Sequence, residues 1–339
     1  MSRFLGLALA IVTLSAASAS SAPITIDWVT VGDPGNAADT TGSPNPAGAV
    51  ADAFQIMKFE WTNSQYVEFL NSVDPNGTNP NAIYNGNMRS RAEGGITFTS
   101  GAASGSKYAA KTNMGDKPVN YVSWFDAARV ANWLHNGQGS GSTETGAYTL
   151  NNATSGTAPA VNPGALYFLP TEDQWYKAAY YKGGSTNAGY WDYATQSDTA
   201  PTAVTAGATG IGSAGSTGNF ANYNKAADWN GQDGNVTTVG TNGGASAYGT
   251  FDMNGNVFEW NDLTGAAGSS RGLRGGALND DAGDMSSSGG STLTTSTQNY
   301  NVGFRLASSI AVPEPSTWVM GLAGIACAGW GSYRRRRAR

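Results

Sequence analysis

Sulfur and histidine chemistry are almost missing from this chain. It holds one cysteine, Cys327, and one histidine, His135. Because Cys327 lies in a C-terminal apolar run, everything before it lacks a thiol: no disulfide, no cysteine metal ligand, no cysteine nucleophile. His135 follows a predicted helix and has no Ser or Cys partner motif, so it reads as a capping or surface residue rather than a catalyst. Charge is scarce too, at 13% of residues. Without Ala/Leu/Glu/Lys-rich periodic text, a coiled coil or long helical bundle is excluded. No glycine-rich run carries the Lys-Ser/Thr of a phosphate loop. No Gly-x-Gly-x-x-Gly opens a helix after a strand, so nucleotide binding has no support.

What the chain does have is glycine and rings: 46 Gly, 10 Trp, 15 Tyr and 11 Phe. So many large rings would collapse, which excludes a disordered acidic chain. The composition describes a globular, loop-rich protein whose few regular elements are pinned by aromatic anchors.

Both ends read as sorting devices. Arg3, the apolar run Leu5–Leu14 and the small residues Ala17-Ser18-Ala19 predict a signal peptide over 1–19. Signal peptidase would remove it on the Sec route; an uncleaved anchor is the alternative, although the run is short for a bilayer. The C-terminus reads Val312-Pro313-Glu314-Pro315-Ser316-Thr317-Trp318, then VMGLAGIACAGWGS, then Arg334–Arg337 and Arg339. This order of parts resembles the PEP-CTERM sorting signal. The resemblance implies recognition by an exosortase, a tail over 312–339 with a short transmembrane helix and an Arg-rich end, and delivery to the cell surface or beyond. An ordinary C-terminal anchor is the alternative. Residues 20–311 then remain as one domain, with 13 Lys+Arg against 23 Asp+Glu, a net of −10. That balance argues against nucleic acid and suits divalent cations. A cysteine-free core is unusual for an exported protein, where disulfides are permitted.

Three helices are predicted from their start signals. Thr62 with Gln65, Ser123 with Asp126, and Thr171 with Gln174 each open a segment in capping-box spacing. Tyr66, Phe69 and Leu70 share one face of the first helix. Trp124, Ala127, Ala128, Ala131 and Leu134 form a stripe on the second, and Trp175, Ala178 and Ala179 one on the third. Short strands are predicted at 24–30, 52–60, 166–169, 271–275 and 302–307. Between them lie polar stretches at 32–49, 73–116, 136–164, 183–219 and 262–298. Loops of that length are functional, disordered or held by an ion.

Five motifs then line up: FQIMKFEWTNSQYVEFLNSV (54–73), PVNYVSWFDAARVANWL (118–134), YFLPTEDQWYKAAYY (167–181), YGTFDMNGNVFEW (248–260) and LRGG…NVGFRLA (273–276, 301–307). In this order, across 52–307, they resemble the formylglycine-generating enzyme or sulfatase-modifying factor family. The resemblance implies an α+β, C-type-lectin-like fold with short helices, small twisted antiparallel sheets and much irregular loop. It also implies that Arg305 makes a buried, multiply bonded contact. The family's sulfoxide synthases need a His-rich iron domain that a chain with one histidine cannot supply.

The resemblance further implies two structural calcium sites. Hard cations take carboxylate and carbonyl oxygens. The first set is Asp252, Gly255, Val257 and Glu259; alternatively its carboxylates only cap or pair locally. The second is Asn222, Tyr223, Asp233 and Asn235, with Asp228 competing for the place of Asp233. In members that make formylglycine, two cysteines after Arg-Gly-Gly bind copper and engage the substrate. Counted from Gly276, those positions fall near Asp280 and Met285, and neither replaces a thiolate. Copper is therefore not expected. The reading that follows is a non-catalytic, calcium-stabilised surface domain binding a glycan, an exopolysaccharide or an envelope protein. The alternative is an oxidoreductase of the formylglycine type acting on a protein cysteine by a thiol-free route.

Overall fold

Each of the three long helices starts at a reciprocal cap. The Thr62, Ser123 and Thr171 hydroxyls accept from the backbone N–H three residues on, and Gln65, Asp126 and Gln174 accept in return from the cap N–H. Two orphan donors are thereby satisfied at each start. The helices are α1 (Asn63–Val73), α2 (Trp124–His135) and α3 (Glu172–Tyr180). They occur in a computed structural model describing residues 23–309. The predicted signal peptide at 1–19 and the sorting tail at 312–339, with Cys327 and its apolar helix, lie outside the described residues. Among those residues, no helix is long and apolar enough to cross a membrane.

The strands are short. We number eight of them: β1 (Trp28–Val31), β2 (Phe54–Met57), β3 (Tyr167–Phe168), β4 (Phe258–Asn261), β5 (Ser270–Arg274), β6 (Ser291–Thr294), β7 (Val302–Gly303) and β8 (Ala307–Ser308). One antiparallel sheet has the order β1-β2-β8-β3, and a second has the order β6-β5-β4-β7. The small antiparallel sheets agree with the expected fold, and two strand pairs depart from that direction. β7 runs parallel to β4, and a small pair at 202–203 and 220–221 is also parallel. The cause is connectivity. About forty residues, β5 and β6 among them, separate β4 from β7, enough to return the chain to the same end, as a parallel pairing requires. A hairpin at 96–98 and 108–110, and single-turn helices at 87–90 and 282–285, interrupt stretches predicted as loop. They are too short to leave a periodic signal.

Helix α2 departs from an amphipathic pattern. Its predicted stripe is buried, but so are Asp126, Arg129 and Asn132 on its other sides. The segment 136–164 wraps over it and provides polar partners. Arg129 donates to Glu144 at 2.8 Å and to the Ala153 carbonyl at 2.8 Å. Asn132 donates to the carbonyls of Thr143 (2.7 Å) and Tyr148 (3.0 Å) and accepts from the Tyr148 N–H. Buried polar groups are tolerable only with such partners. At the start of the helix, Trp124 Nε1 donates to Asp262 at 2.6 Å. Tyr148 and Arg271 bond the same carboxylate at 2.7 and 3.1 Å. His135 ends α2, and its Nδ1 accepts from the Leu166 N–H at 3.1 Å, a structural role. Trp124, Trp133, Trp175 and Trp260 are all core residues, at most 1% exposed.

Ser123 starts the most buried helix, so Ser123→Ala should lower stability by about 1 kcal/mol, the usual worth of an N-cap. Urea titration followed by tryptophan fluorescence measures this. A variant as stable as the parent would show that the surrounding packing alone fixes the helix start.

Candidate functional site

The centre of the site is a guanidinium with no access to water. Arg305 follows β7 and is 0% exposed. Its Nε and Nη2 each lie 2.6 Å from a different oxygen of Glu259 on β4. Its remaining hydrogens go to the carbonyls of Met57 (3.1 Å), Lys58 (3.3 Å) and Phe251 (2.8 Å). Trp175 Nε1, on α3, adds a third donor to Glu259 at 2.7 Å. Burial opposes the charge on Arg305, but Glu259 beside it more than offsets this and raises its pKa. Arg305 thus joins both main sheets and the loop before β4, and Glu259 ties α3 to them through Trp175.

Two further buried carboxyls face this pair. Asp252 has a left-handed backbone (φ 56°) and accepts from the Gly240 N–H at 2.5 Å and from Asn242 Nδ2 at 2.9 Å. Burial raises its pKa. Glu60 is pushed well above the usual carboxylate range, first by burial and then by Asp252 and Glu259. Its Oε2 accepts from Asn256 at 3.3 Å, while its Oε1 is buried with no partner. These three carboxyls repel one another across the site without converging on one point. Among the described residues, no group of three or more His, Cys, Asp or Glu is placed to hold a metal.

Asn222 is the hub of the second predicted set. It is 0% exposed, and its Nδ2 donates to the Asn235 carbonyl (2.9 Å), Thr237 Oγ1 (3.0 Å) and Asn256 Oδ1 (3.1 Å). Its Oδ1 is buried without a partner. Its backbone bridges to Gly255 of the first set, and its carbonyl accepts from the Asn256 N–H at 2.8 Å. Gly255 is obligatory here: φ is 78°, and a Cβ would stand 2.2 Å from the Asn222 oxygen. The structure thus brings Asn222, Asn235 and Gly255 together. It adds Asn256 and Thr237, which the sequence reading missed. The signal for Asn256 was its place between Gly255 and Val257, two residues already singled out. Val257 packs with Met114, Trp229, Val236 and Leu278. Tyr223 is half-buried and donates to the Pro201 carbonyl at 2.6 Å. Asp233 is exposed, and Asp228 accepts from the Gly234 N–H at 2.8 Å within its own turn.

The Arg-Gly-Gly segment ends β5. Arg274 is bonded to Glu172 and to the carbonyls of Ser43, Ser287 and Gly289. Beyond it, Asp280 is half-buried. One oxygen accepts from Asn279 at 3.2 Å, and the other is buried without a partner. Met285, 0% exposed, packs against Gly276, where a Cβ would meet its Cγ at 2.7 Å. One position thus holds a hard oxygen donor and the other a core thioether.

A family model described as sulfatase-modifying factor enzyme 1-like domain matches residues 22–310, and one described as PEP-CTERM protein-sorting motif matches 311–337. Similar solved structures include Treponema denticola variable protein 1, with 19% identity over 84% of this chain and 95% of that one, at a TM-score of 0.47. CarF has 22% identity over 85% and 99%, at 0.48, and PvdO from Pseudomonas aeruginosa 18% over 84% and 92%, at 0.40. No curated protein sequence matches the chain significantly.

Two outcomes test the site. Arg305→Met leaves Glu259 charged and unpaired in a dry core, so it should cost about 3–5 kcal/mol. Adding Glu259→Gln should recover part of that, and denaturant titration of the pair separates the coupling. The second concerns Asp280, whose pKa burial raises from 3.8 to about 6, with Asp284 and Asp281 adding to the effect. The folded state therefore binds more protons than the unfolded one in that window. The contribution of Asp280 to stability is greatest below about pH 4 and declines as pH rises through about 6. Asp280→Asn should remove that component from a plot of melting midpoint against pH.

Proposed function

The chain belongs to the sulfatase-modifying factor enzyme 1-like family, and we propose that its domain is a non-catalytic binding scaffold displayed on the cell surface. The sorting motif at 311–337 marks an exported, membrane-associated protein that exosortase processes. Entry by the Sec route, with signal peptidase removing 1–19, completes this reading.

The observation that carries the proposal is the pair Asp280 and Met285 at the positions where catalytic thiols are expected. Copper(I) is held by soft sulfur. A half-buried carboxylate is hard, and the Met285 side chain is closed into the core, its carbonyl accepting from Tyr180 at 2.9 Å. An oxidoreductase of the formylglycine type would need another route to a protein cysteine, and no side chain at these two positions offers one.

Calcium is the proposed structural cofactor. Of the two residue sets, the one around Asn222 fits a cation better, because its buried Oδ1 has no donor and an orphaned acceptor is costly. Asn222, with the carbonyls of Tyr223 and Asn235, would hold the ion. When bound, it would supply oxygen-ligated cross-linking of the loops around 222 and 235. Asp233 would have to turn inward to join. Among Asp252, Gly255, Val257 and Glu259 the fit is poorer, because Arg305 and Trp175 already fill both Glu259 oxygens.

For the partner, the surface favours a glycan, such as an exopolysaccharide, over an envelope protein. Among the described residues, only Leu166, Ile211 and Phe220 are large exposed apolar side chains. Protein interfaces centre on apolar anchors, whereas these loops present Asn, Thr, Ser and Asp.

Three measurements decide between these readings. The protein should melt higher in Ca²⁺ than in chelator, since a ligand of the folded state stabilises it by mass action; equal midpoints would remove calcium. A Cys-x-Pro-x-Arg peptide incubated with copper and oxygen should keep its thiol, and aldehyde formation would restore the oxidoreductase. A glycan array should retain the processed domain, and a blank array would sink the glycan reading.

A further inference from the structure

Phe220 is an aromatic ring at the surface that the core does not use. It is 36% exposed, and among the described residues it has no ring partner and no place in a hydrophobic cluster. Its backbone, by contrast, is fixed. The parallel pair at 202–203 and 220–221 holds it, with the Thr202 N–H donating to the Asn219 carbonyl (3.0 Å) and the Val204 N–H to that of Ala221 (2.9 Å). Gly243 passes directly beside it: a Cβ there would stand 2.3 Å from the Phe220 carbonyl oxygen. One edge of the ring, Cδ2 and Cε2, faces Gly218. A ring held this firmly loses little freedom when a ligand lies on it.

Beside the ring a crevice opens, lined by Thr195, Asn242, Gly243, Asp252 and Asn254 together with Phe220. Its free space is about 10 Å³, room for one water-sized body. Bonding capacity is left over in its walls. Asp252, 8% exposed, takes one donor on each oxygen, the Gly240 N–H and Asn242 Nδ2, and a carboxylate oxygen has two lone pairs. Asn254 is 3% exposed, and its Oδ1 accepts from the Ala194 N–H at 3.3 Å. Its Nδ2 has two hydrogens and only one contact, at 3.5 Å to Thr195 Oγ1. An acceptor and a donor thus stand at one water-sized space next to an open ring.

We propose that Phe220 and this crevice form a subsite for one neutral hexose unit. The inference rests on the glycan reading above and adds where the sugar lies and of which kind it is. The C–H face of a pyranose ring lies on Phe220, and one of its hydroxyls enters the crevice in place of water. That hydroxyl donates to Asp252 and accepts from Asn254 Nδ2, so it reproduces the bonds of the water it displaces. Size and charge set the class. An acetamido group is larger than a water and does not fit the space. A uronic acid brings a carboxylate toward Asp252, and like charges at close range repel. An ammonium suits Asp252 but offers no lone pair to Asn254 Nδ2. A hydroxyl alone is small, uncharged and both donor and acceptor.

The test mixes the purified full chain with beads carrying mannan, glucan, galactan, chitin or polygalacturonate and measures its depletion from solution. The expected result is retention by a neutral hexose polymer and none by chitin or polygalacturonate. Phe220→Ala should weaken that retention about tenfold, the order of one ring contact, with its melting midpoint unchanged because the ring is exposed. Phe220→Trp, which keeps a ring, should restore it. Asn254→Asp keeps an oxygen for the Ala194 N–H but loses the Nδ2 donor, and should also weaken retention; the Phe220 variants carry the test if it melts early. Retention that Phe220→Ala leaves intact, or retention by chitin or polygalacturonate alone, overturns the subsite while the glycan reading stands. Retention by none of the five overturns the subsite, and a blank glycan array beside it removes the reading underneath as well.

Discussion

The fork between Arg305 and Glu259 is the constraint on which the fold depends. Strands of two to five residues cannot hold two sheets in register through backbone pairing alone. A planar guanidinium with five donors can, because its donors point in fixed directions. Here they reach β4, the end of β2 and the loop at Phe251 at once. The cost of burying a charge is met by completing its bonds, which is the condition under which such a pair is tolerable. Arg271 with Asp262, and Arg274 with Glu172, repeat the solution twice along β5. The cysteine-free core thus uses ionic junctions where an exported domain could have used disulfides.

Asparagine does the same work at lower charge. Asn132, Asn136, Asn162 and Asn222 each donate to main-chain carbonyls of neighbouring loops. Irregular backbone has no ladder to satisfy its carbonyls, so side-chain amides take that place. This explains how long polar segments remain ordered beside the site, and why the low share of charged residues is no obstacle to a well-formed interior.

Much of the frame was legible because its signals are local. The three capping boxes fixed the starts of α1, α2 and α3, and the strands around 28, 54, 167, 270 and 302 stood out against polar text. Burial all round α2 was not legible, since the residues that cover it come from a loop with no periodicity. The parallel pairing of β7 with β4 depends on where a long connection returns, which spacing does not state. At the site, Gly255 and Asn222 were named from their motifs. The commitment of Glu259 to Arg305 and Trp175 was not foreseen, because it joins residues 46 and 84 positions apart in sequence. Glu60 carried no signal of its own beyond lying in a motif.

The segment that wraps α2 is gripped mainly through its main chain, with Glu144 the side-chain exception. Arg129, Asn132 and Asn136 hold the carbonyls of residues 142, 143, 145, 148 and 153, atoms that every amino acid possesses. Such a grip places no demand on which outward side chains the loop bears. Its trajectory can stay constant while its solvent face diversifies. A lineage could therefore retarget this domain by swapping the exposed residues of 137–164, with Glu144 and the buried Tyr148 and Leu150 kept, without rebuilding the helix beneath.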